Sequence, residues 1–395
     1  MIQRLDLARC RRPVIKIGSA VLAGQTARAS AGQVGPGQAT ASSLDRARFA
    51  LLCDDVAALA APAHLAGERR RPVVVTSGAV ALGMERLKLT VRPREMALKQ
   101  AAAAAGQSRL MRLYDDHFEA RGLTCAQVLL THADIADRGR YLNARHALAE
   151  LLARDVVPVI NENDTVSVEE IKFGDNDALA AMVVDLVEAD LLIILTDAGG
   201  LFTADPRRDA RATRIPIVER ITPAILALAE AGTGAVGTGT GGMASKLRAA
   251  QRASEAGVAC AIVPGEPGML GRLLNGEDVG TLVLAQGERR RLRQRWMLDL
   301  KIRGGLRVDE GARSALLEGK KSLLPSGIIE VLGSFAAGEA VEISSQAGAP
   351  FARGLCVYAA DEVRKIQGMR SGQIETALGY RVLDCVVHRD DLVVT

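Results

Sequence analysis

The sequence has few aromatic residues and few residues that commonly bind metals. Aromatic residues make up only 3% of the 395 residues, whereas 48% are hydrophobic, so a core must consist mainly of Ala, Val, Leu and Ile. The five histidines are scattered, without the spacing of metal ligands. No apolar run approaches the roughly 18 residues that a membrane-spanning helix needs. This composition favours α/β layers and excludes a histidine-cluster metal site.

The cysteines and the charge exclude further classes. The six cysteines lie far apart and form no C-x-x-C pair, which predicts reduced thiols in a cytoplasmic protein. Lys16 interrupts the first apolar run, which argues against a signal peptide. A net charge of +4 is too small to indicate a polyanion as the main partner.

Apolar runs alternate with helical patterns over most of the chain. Runs that predict short buried strands are Val14–Ile17, Val73–Val75, Val156–Ile160, Leu191–Leu195 and Ala261–Val263. Stretches that predict helices are Leu44–Leu59, Met96–Arg121, Asn143–Arg154, Ala178–Val187 and Ala244–Ala256. The alternation predicts an α/β fold, with an open, mostly parallel sheet sandwiched by helices.

The pattern changes near residue 285, which predicts separate domains. Residues 1–285 form the predicted α/β domain, and an arginine-rich linker covers residues 286–304. From residue 305 to residue 395, short alternating segments are broken by glycines, which is typical of a small β-rich domain. The segment Gly24–Ser43, rich in small and polar residues, predicts an insertion.

Two polar clusters follow the predicted strand that ends at Ile160. They are NEND, at Asn161–Asp164, and GDND, at Gly174–Asp177. Six carboxylates, three amides and a lysine occur from Asn161 to Asp177. A strand that leads into such a loop before a helix is where open α/β sheets bind ligands. Two Asx-rich turns are the structural alternative.

Four other loops carry residues that could bind anions. They are Lys16–Ser19, Thr76–Ala79, Thr196–Gly200 and the glycine-rich Gly232–Gly242, which leads to Lys246. Lysines can contact a phosphate as point charges, and the N–H groups at a helix start can bind an anion. The G-x-G-x-x-G matches in the last loop do not follow a strand, so they do not indicate an NAD site. Lysines near both ends of the α/β domain favour phosphoryl transfer.

Several sequence segments around these loops resemble those of a known family. The strings VIKIGSAVL, VTSGAVALG, KQAAAAAGQ, VINENDTVS, EIKFGDNDALAA, ILTDAGGLFTADP and GTGGMASK resemble the bacterial glutamate 5-kinases of the amino-acid kinase superfamily, and the C-terminal part is similar to a PUA domain. The resemblance implies ATP-dependent phosphorylation of L-glutamate to L-glutamyl 5-phosphate, the first step of proline biosynthesis, with Mg²⁺ as cofactor. It also implies feedback inhibition by proline and a homo-oligomer, either a dimer or a tetramer.

The resemblance further implies a role for individual residues. Lys16 and Lys246 would act on the transferred phosphoryl group, and Asp177 would organise both lysines. The implied glutamate-binding residues are Ser77, Asp164, Asn176 and Asn161. The implied ATP-binding residues are Lys16, Thr196, Asp197, Thr240, Gly241, Gly242, Met243, Ala244, Ser245 and Lys246. Two positions depart from the family pattern, because Ala20 and Ala244 stand where hydroxyl-bearing residues are common.

Two alternatives stay open. One is a sister kinase that acts on aspartate, acetylglutamate, carbamate or a nucleoside monophosphate. The other is RNA binding, because PUA domains are best known in RNA-modifying proteins. Residues 305–395 contain ten Lys and Arg against twelve Asp and Glu, a net charge near −2, which does not favour a polyanion partner.

Overall fold

The computed structural model describes residues 4–23, 44–61, 69–167, 176–206, 209–231, 242–287, 297, 300–319 and 321–394. Within it the chain divides into two compact units, residues 1–136 with 143–288, and residues 137–142 with 289–395. Several sequence predictions lie outside the described residues: the Gly24–Ser43 insertion, Gly174 and Asp175 of the second polar cluster, and the glycine-rich loop with Thr240 and Gly241.

The first unit contains one eight-stranded sheet with the strand order β3-β4-β2-β1-β5-β7-β8-β6. Its strands are β1 Pro13–Ile17, β2 Val73–Thr76, β3 Cys125–Leu130, β4 Val157–Glu162, β5 Leu191–Thr196, β6 Ile217–Val218, β7 Ala259–Pro264 and β8 Thr281–Val283. Neighbouring strands are parallel except for the antiparallel pair β7 and β8. The predicted α/β fold with a mostly parallel sheet is therefore confirmed.

Helices alternate with these strands along the chain. The α-helices are α1 Ser19–Leu22, α2 Arg46–Ala60, α3 Ala79–Arg86, α4 Met96–Glu119, α5 His132–Ala136, α6 Arg138–Ala153, α7 Asn176–Leu186, α8 Pro223–Ala231, α9 Met243–Glu255 and α10 Met269–Leu274. The central strands β1, β2 and β5 are buried along their whole length, which is why they are continuous apolar runs in the sequence. Among these helices and those of the second unit, none is long and apolar enough to cross a membrane.

Sequence patterns missed strand β3. It lies at the edge of the sheet, where it pairs only with β4, and it is half-buried with Gln127 exposed. An edge strand of this kind lacks the continuous apolar run that identified the central strands. The missed strand matters for the site because it extends the sheet beyond β4, the strand that ends in the NEND cluster.

Two glycines set the distance between helices α3 and α4. A Cβ atom at Gly83 would lie 1.6 Å from the carbonyl oxygen of Ala102, and one at Gly106 would lie 1.9 Å from that of Ala79. The backbones of the two helices are therefore in direct contact, which no larger residue permits. This contact fixes α4 against the start of α3, the helix that directly follows Ser77 and Gly78.

The chain reverses its order across the sheet at β1. Strand β1 lies between β2 and β5, and the connections that follow β2 and β5 lead toward opposite edges of the sheet. Ligands of open α/β sheets bind at such a switch point. The carboxyl ends of β1, β2, β4 and β5 carry the predicted site residues Lys16, Ser77, Asn161 and Thr196.

The second unit is built on a five-stranded sheet with the order β10-β9-β11-β12-β13. The strands are β9 Gly304–Val308, β10 Ile328–Gly333, β11 Ala340–Ser344, β12 Pro350–Cys356 and β13 Val387–Val394, and the helices are α11 Glu310–Leu317, α12 Ala360–Ile366 and α13 Ile374–Leu378. Strands β9 and β11 are parallel and the other pairs antiparallel. Tyr358, Val363 and Ile343 belong to its own buried core, which confirms the predicted β-rich C-terminal part.

Candidate active site

Three charged side chains meet at the carboxyl edge of the central strands. The Nζ atom of Lys16, on β1, lies 2.5 Å from Oδ1 of Asp177. The Nζ atom of Lys246, in the first turn of α9, lies 3.2 Å from Oδ2 of the same carboxylate. The side chains of the two lysines are only 5% and 8% exposed, and that of Asp177 is fully buried. One buried carboxylate therefore holds two ammonium groups side by side.

The electrostatics of this cluster favour an ionised carboxylate. Burial by itself raises the pKa of Asp177, but the ammonium groups of Lys16 and Lys246 outweigh it and lower the pKa to about 2. Ser245 adds a hydrogen bond, since its hydroxyl donates to Oδ2 at 2.7 Å. Helix α7 begins at Asn176, two residues before the sequence prediction, so Asp177 also lies in the first turn, where the helix dipole stabilises negative charge.

A cluster of amides and a hydroxyl lies next to the charged cluster. The Nδ2 group of Asn176 donates to Oγ of Ser77 at 2.8 Å, to the carbonyl oxygen of Thr76 at 2.9 Å and to Oδ1 of Asn161 at 3.2 Å. The structure thus brings together three of the four predicted glutamate-binding residues. Because Asn176 precedes Asp177 in the chain, this amide cluster adjoins the lysine pair.

The fourth of these residues, Asp164, follows β4 and lies among other charges. Burial raises the pKa of its carboxyl group, and the nearby carboxylate of Glu162 raises it further. The positive charges of Lys99 and Arg92 act in the opposite direction. A half-buried carboxylate that is costly to ionise would be stabilised by an ammonium group of a ligand.

The residues predicted to bind the nucleotide lie at two neighbouring places. Thr196 is buried at the end of β5, and its hydroxyl accepts a hydrogen bond from the backbone N–H of Ala198 at 3.3 Å; Asp197 follows it and is exposed. The second place is the start of α9, where Gly242 precedes a first turn that contains Met243, Ala244, Ser245 and Lys246. The N–H groups of such a turn can bind a phosphate.

Thr281, which no sequence motif singles out, supports the loop after β5. Its hydroxyl accepts from the backbone N–H of Leu201 at 2.8 Å and donates to the carbonyl oxygen of Ile215 at 2.7 Å. Gly200, with φ 133°, approaches it so closely that a Cβ atom would lie 2.8 Å from the Thr281 oxygen. The loop that contains Asp197 is therefore fixed at its far end.

Two residues of α4 also belong to the surroundings of the site. Gln107 accepts a hydrogen bond at Oε1 from Nδ2 of Asn161 at 2.8 Å, and Tyr114 is hydrogen-bonded through its hydroxyl to Oγ1 of Thr76 at 2.7 Å. Gln107 falls within the string KQAAAAAGQ, which carried the resemblance but gave this residue no role. Tyr114 belongs to no sequence motif, and its contact with Thr76 is evident only from the packing of α4.

Comparison with known proteins agrees with this geometry. The profile of the amino acid kinase family matches residues 11–264, and that of the PUA domain matches residues 304–378. The glutamate 5-kinase of Myxococcus xanthus is 50% identical over 393 residues, which cover 99% of this chain and 98% of that protein. The glutamate 5-kinase of Moorella thermoacetica is 45% identical, with the same coverage. The chain belongs to the amino acid kinase family and, within it, to the glutamate 5-kinase family.

Proposed function

We propose that this protein transfers a phosphoryl group from ATP to the side-chain carboxylate of L-glutamate, which gives L-glutamyl 5-phosphate in the first step of proline biosynthesis. The observation that carries the proposal is the buried cluster of Lys16, Asp177 and Lys246 beside the amide cluster, in a chain that is 45–50% identical over nearly its whole length to proteins named glutamate 5-kinase. A carboxylate acceptor is already ionised at neutral pH, so the reaction requires no general base.

In the proposed mechanism, the two lysines stabilise the transferred group. Phosphoryl transfer depends mainly on positioning and on positive charge around the equatorial oxygens. Lys16 and Lys246, which contact different oxygen atoms of the Asp177 carboxylate, supply that charge. Asp177 keeps the two ammonium groups, which would otherwise repel each other, at a fixed separation. Thr196, Asp197 and the segment from Thr240 to Lys246 are assigned to ATP.

The glutamate is assigned to the neighbouring amide cluster. Ser77, Asn161 and Asn176 offer hydroxyl and amide groups on the side of the sheet away from β5. Asp164 is assigned to the substrate ammonium group, because a positive ligand would offset the cost of ionising this half-buried carboxylate. The side-chain carboxylate of the substrate then extends toward the lysine pair.

Mg²⁺ is assigned to the nucleotide. Both oxygens of Asp177 are contacted by ammonium groups, so this carboxylate is poorly suited as a metal ligand. Mg²⁺ in kinases is commonly held through substrate phosphates and water molecules. When bound in that way it neutralises phosphate charge, in addition to the two lysines.

Several further properties belong to the same proposal. We assign residues 1–285 to the kinase domain, 286–304 to a linker and 305–395 to the PUA domain. We also expect inhibition by proline, a cytoplasmic location and a homo-oligomer, either a dimer or a tetramer. The sister-kinase alternative receives less support, because the curated relatives cited above carry the glutamate 5-kinase name.

A coupled assay of ADP release tests the function. L-glutamate should support turnover, whereas aspartate, acetylglutamate, carbamate and a nucleoside monophosphate should not, and proline should inhibit. Lys16→Ala and Lys246→Ala should each lower kcat by about 10²–10³, the usual scale for loss of one donor to a developing charge. Lys321→Ala, which removes an exposed lysine of the second unit, is the matched control. Greater turnover with another acceptor would refute the assignment of glutamate.

A further inference from the structure

Three amides beside the lysine pair form a hydrogen-bonded chain with a defined direction. Asn176 donates from Nδ2 to Oδ1 of Asn161, and Asn161 donates from its own Nδ2 to Oε1 of Gln107. Each amide group has one donor end and one acceptor end. Each link therefore fixes the orientation of the next amide, from α7 through the end of β4 to α4.

Both ends of this chain carry a buried polar atom. Nε2 of Gln107 and Oδ1 of Asn176 are inaccessible to solvent, and neither has a hydrogen-bond partner among the residues that the structure describes. Buried polar groups in proteins are almost always hydrogen-bonded, and a buried exception requires an explanation. Nε2 can only donate and Oδ1 can only accept, so the cluster offers one donor and one acceptor to a ligand.

The position of Gln107 indicates which end of a ligand it would contact. Lys16 is on β1, whereas Gln107 contacts Asn161 on β4, and β2 lies between these two strands. Two strand spacings separate β1 and β4 by about 10 Å. A donor on this side lies two strands away from Lys16, where the proposed function puts the part of the acceptor that does not react.

Among the residues that the structure describes, Lys99 and Arg92 are the cationic side chains that lower the pKa of Asp164, the residue assigned to the substrate ammonium group. Both act on the carboxylate of Asp164, and Arg92 is exposed. Their positive charges thus already face a protein carboxylate. The Nε2 donor of Gln107, in contrast, is buried and is directed away from Asn161 by the hydrogen bond at Oε1.

We propose that Gln107 binds the α-carboxylate of the acceptor amino acid through Nε2 and so selects acceptors that carry this group. The proposal rests on the proposed glutamate kinase function. It assigns to Gln107 a direct substrate contact in addition to its contact with Asn161. Loss of one hydrogen bond to a charged group should raise the KM for L-glutamate about 10- to 100-fold, with kcat and the KM for ATP little changed.

Two substitutions separate substrate binding from a purely structural role. Gln107→Met removes both the contact with Asn161 and the free donor, whereas Gln107→Glu keeps an oxygen for Asn161 but has no donor. If Gln107 only positioned Asn161, Gln107→Glu, which keeps that contact but adds a negative charge, would raise the KM for L-glutamate less than Gln107→Met does. If Gln107 binds the α-carboxylate, Gln107→Glu must raise the KM for L-glutamate at least as much as Gln107→Met does.

Ligand analogues identify the group that is bound. Compared with L-glutamate, glutarate keeps both carboxylates, whereas 4-aminobutyrate lacks the α-carboxylate. The inhibition constant of each analogue is measured in competition with L-glutamate. Gln107→Met, which removes the donor without adding a charge, should weaken inhibition by glutarate about 10- to 100-fold and leave inhibition by 4-aminobutyrate within about threefold of wild type. Equal weakening of both, or no weakening of glutarate, would overturn the proposal.

Lys99→Met provides the competing arm of the experiment. If Lys99 held the α-carboxylate, Lys99→Met would lose the discrimination between the two analogues and Gln107→Met would retain it. That result would also refute the proposal. ADP release by the wild type with L-glutamate is measured first. Absence of this turnover would refute the proposed function. Normal turnover by the wild type, with unchanged discrimination between the analogues in Gln107→Met, would refute only the role of Gln107.

Discussion

Substitution of Asp177 by Asn tests the buried cluster directly, because it removes the charge and keeps the shape. The carboxylate is fully buried between two lysines whose side chains are 5% and 8% exposed. Removing one partner of a buried ion pair leaves an uncompensated charge and typically costs about 3–5 kcal/mol. Here two ammonium groups lose their partner. At about 2–4 °C for each kcal/mol in a domain of this size range, we expect the melting temperature of Asp177→Asn to fall by roughly 10 °C.

The pH dependence of stability follows from the same carboxylate. Its pKa is lowered from 3.8 to about 2 in the folded chain, so its contribution to stability is present above the pKa of the unfolded chain. That contribution is lost as the pH falls toward about 2. Wild-type stability should therefore decrease more steeply in this acidic range than that of Asp177→Asn. Asp116→Asn, which removes a 62% exposed carboxylate 3.9 Å from Arg112, should change stability by less than about 1 kcal/mol.

Nucleotide binding distinguishes loss of the central charge from general damage. In Asp177→Asn the two lysines lack an anion, so the phosphates of ATP should stabilise the variant more than they stabilise the wild type. The shift in melting temperature on addition of MgATP should increase, while kcat falls because the lysines are no longer held in place. A variant that melts within 1 °C of wild type, or that shows no larger shift with MgATP, would refute this account of the cluster.

The remaining predictions concern Asp164 on the glutamate side and the close packing of helices α3 and α4. The pKa of Asp164 is raised by burial and by Glu162, so on acidification its carboxylate loses its charge at a higher pH than a free aspartate does. The KM for glutamate should therefore rise as the pH falls. Glu162→Gln removes one cause of the raised pKa and should move this rise in KM to lower pH. Asp164→Asn should raise the KM for glutamate about thirtyfold or more and abolish the pH dependence of this KM. A change in the KM for ATP alone would contradict the assignment of Asp164 to glutamate. Gly83→Ala should destabilise the protein by about 1–3 kcal/mol, because its Cβ would meet the carbonyl oxygen of Ala102, as measured by chemical denaturation. Gly271→Ala, at a helical glycine with open space around it, should not destabilise.

The two polar clusters show which features of the site could be predicted from the sequence. Their position between a buried strand and a helix indicated a ligand loop, and the structure places Asn161 and Asn176 in hydrogen-bond contact with each other. The pattern could not tell which carboxylates lie inward. Asp177 is fully buried against two lysines, whereas Asp164 lies at the edge among mixed charges. Burial depends on how α7 and α9 pack at the sheet edge, and local spacing carries no information about that packing.

The sequence by itself determined the fold class, since continuous apolar runs that alternate with helical periods can be buried only in a sheet covered on both faces. It also determined which residue types reach the carboxyl edge, because the loops directly follow the strands. Only the tertiary structure decided which of these residues meet. Lys16 and Lys246 are 230 positions apart in the chain, and one carboxylate joins them because β1 and the start of α9 converge on α7. Gln107 and Thr281 join the surroundings of the site in the same way, through contacts between distant elements that no local pattern records.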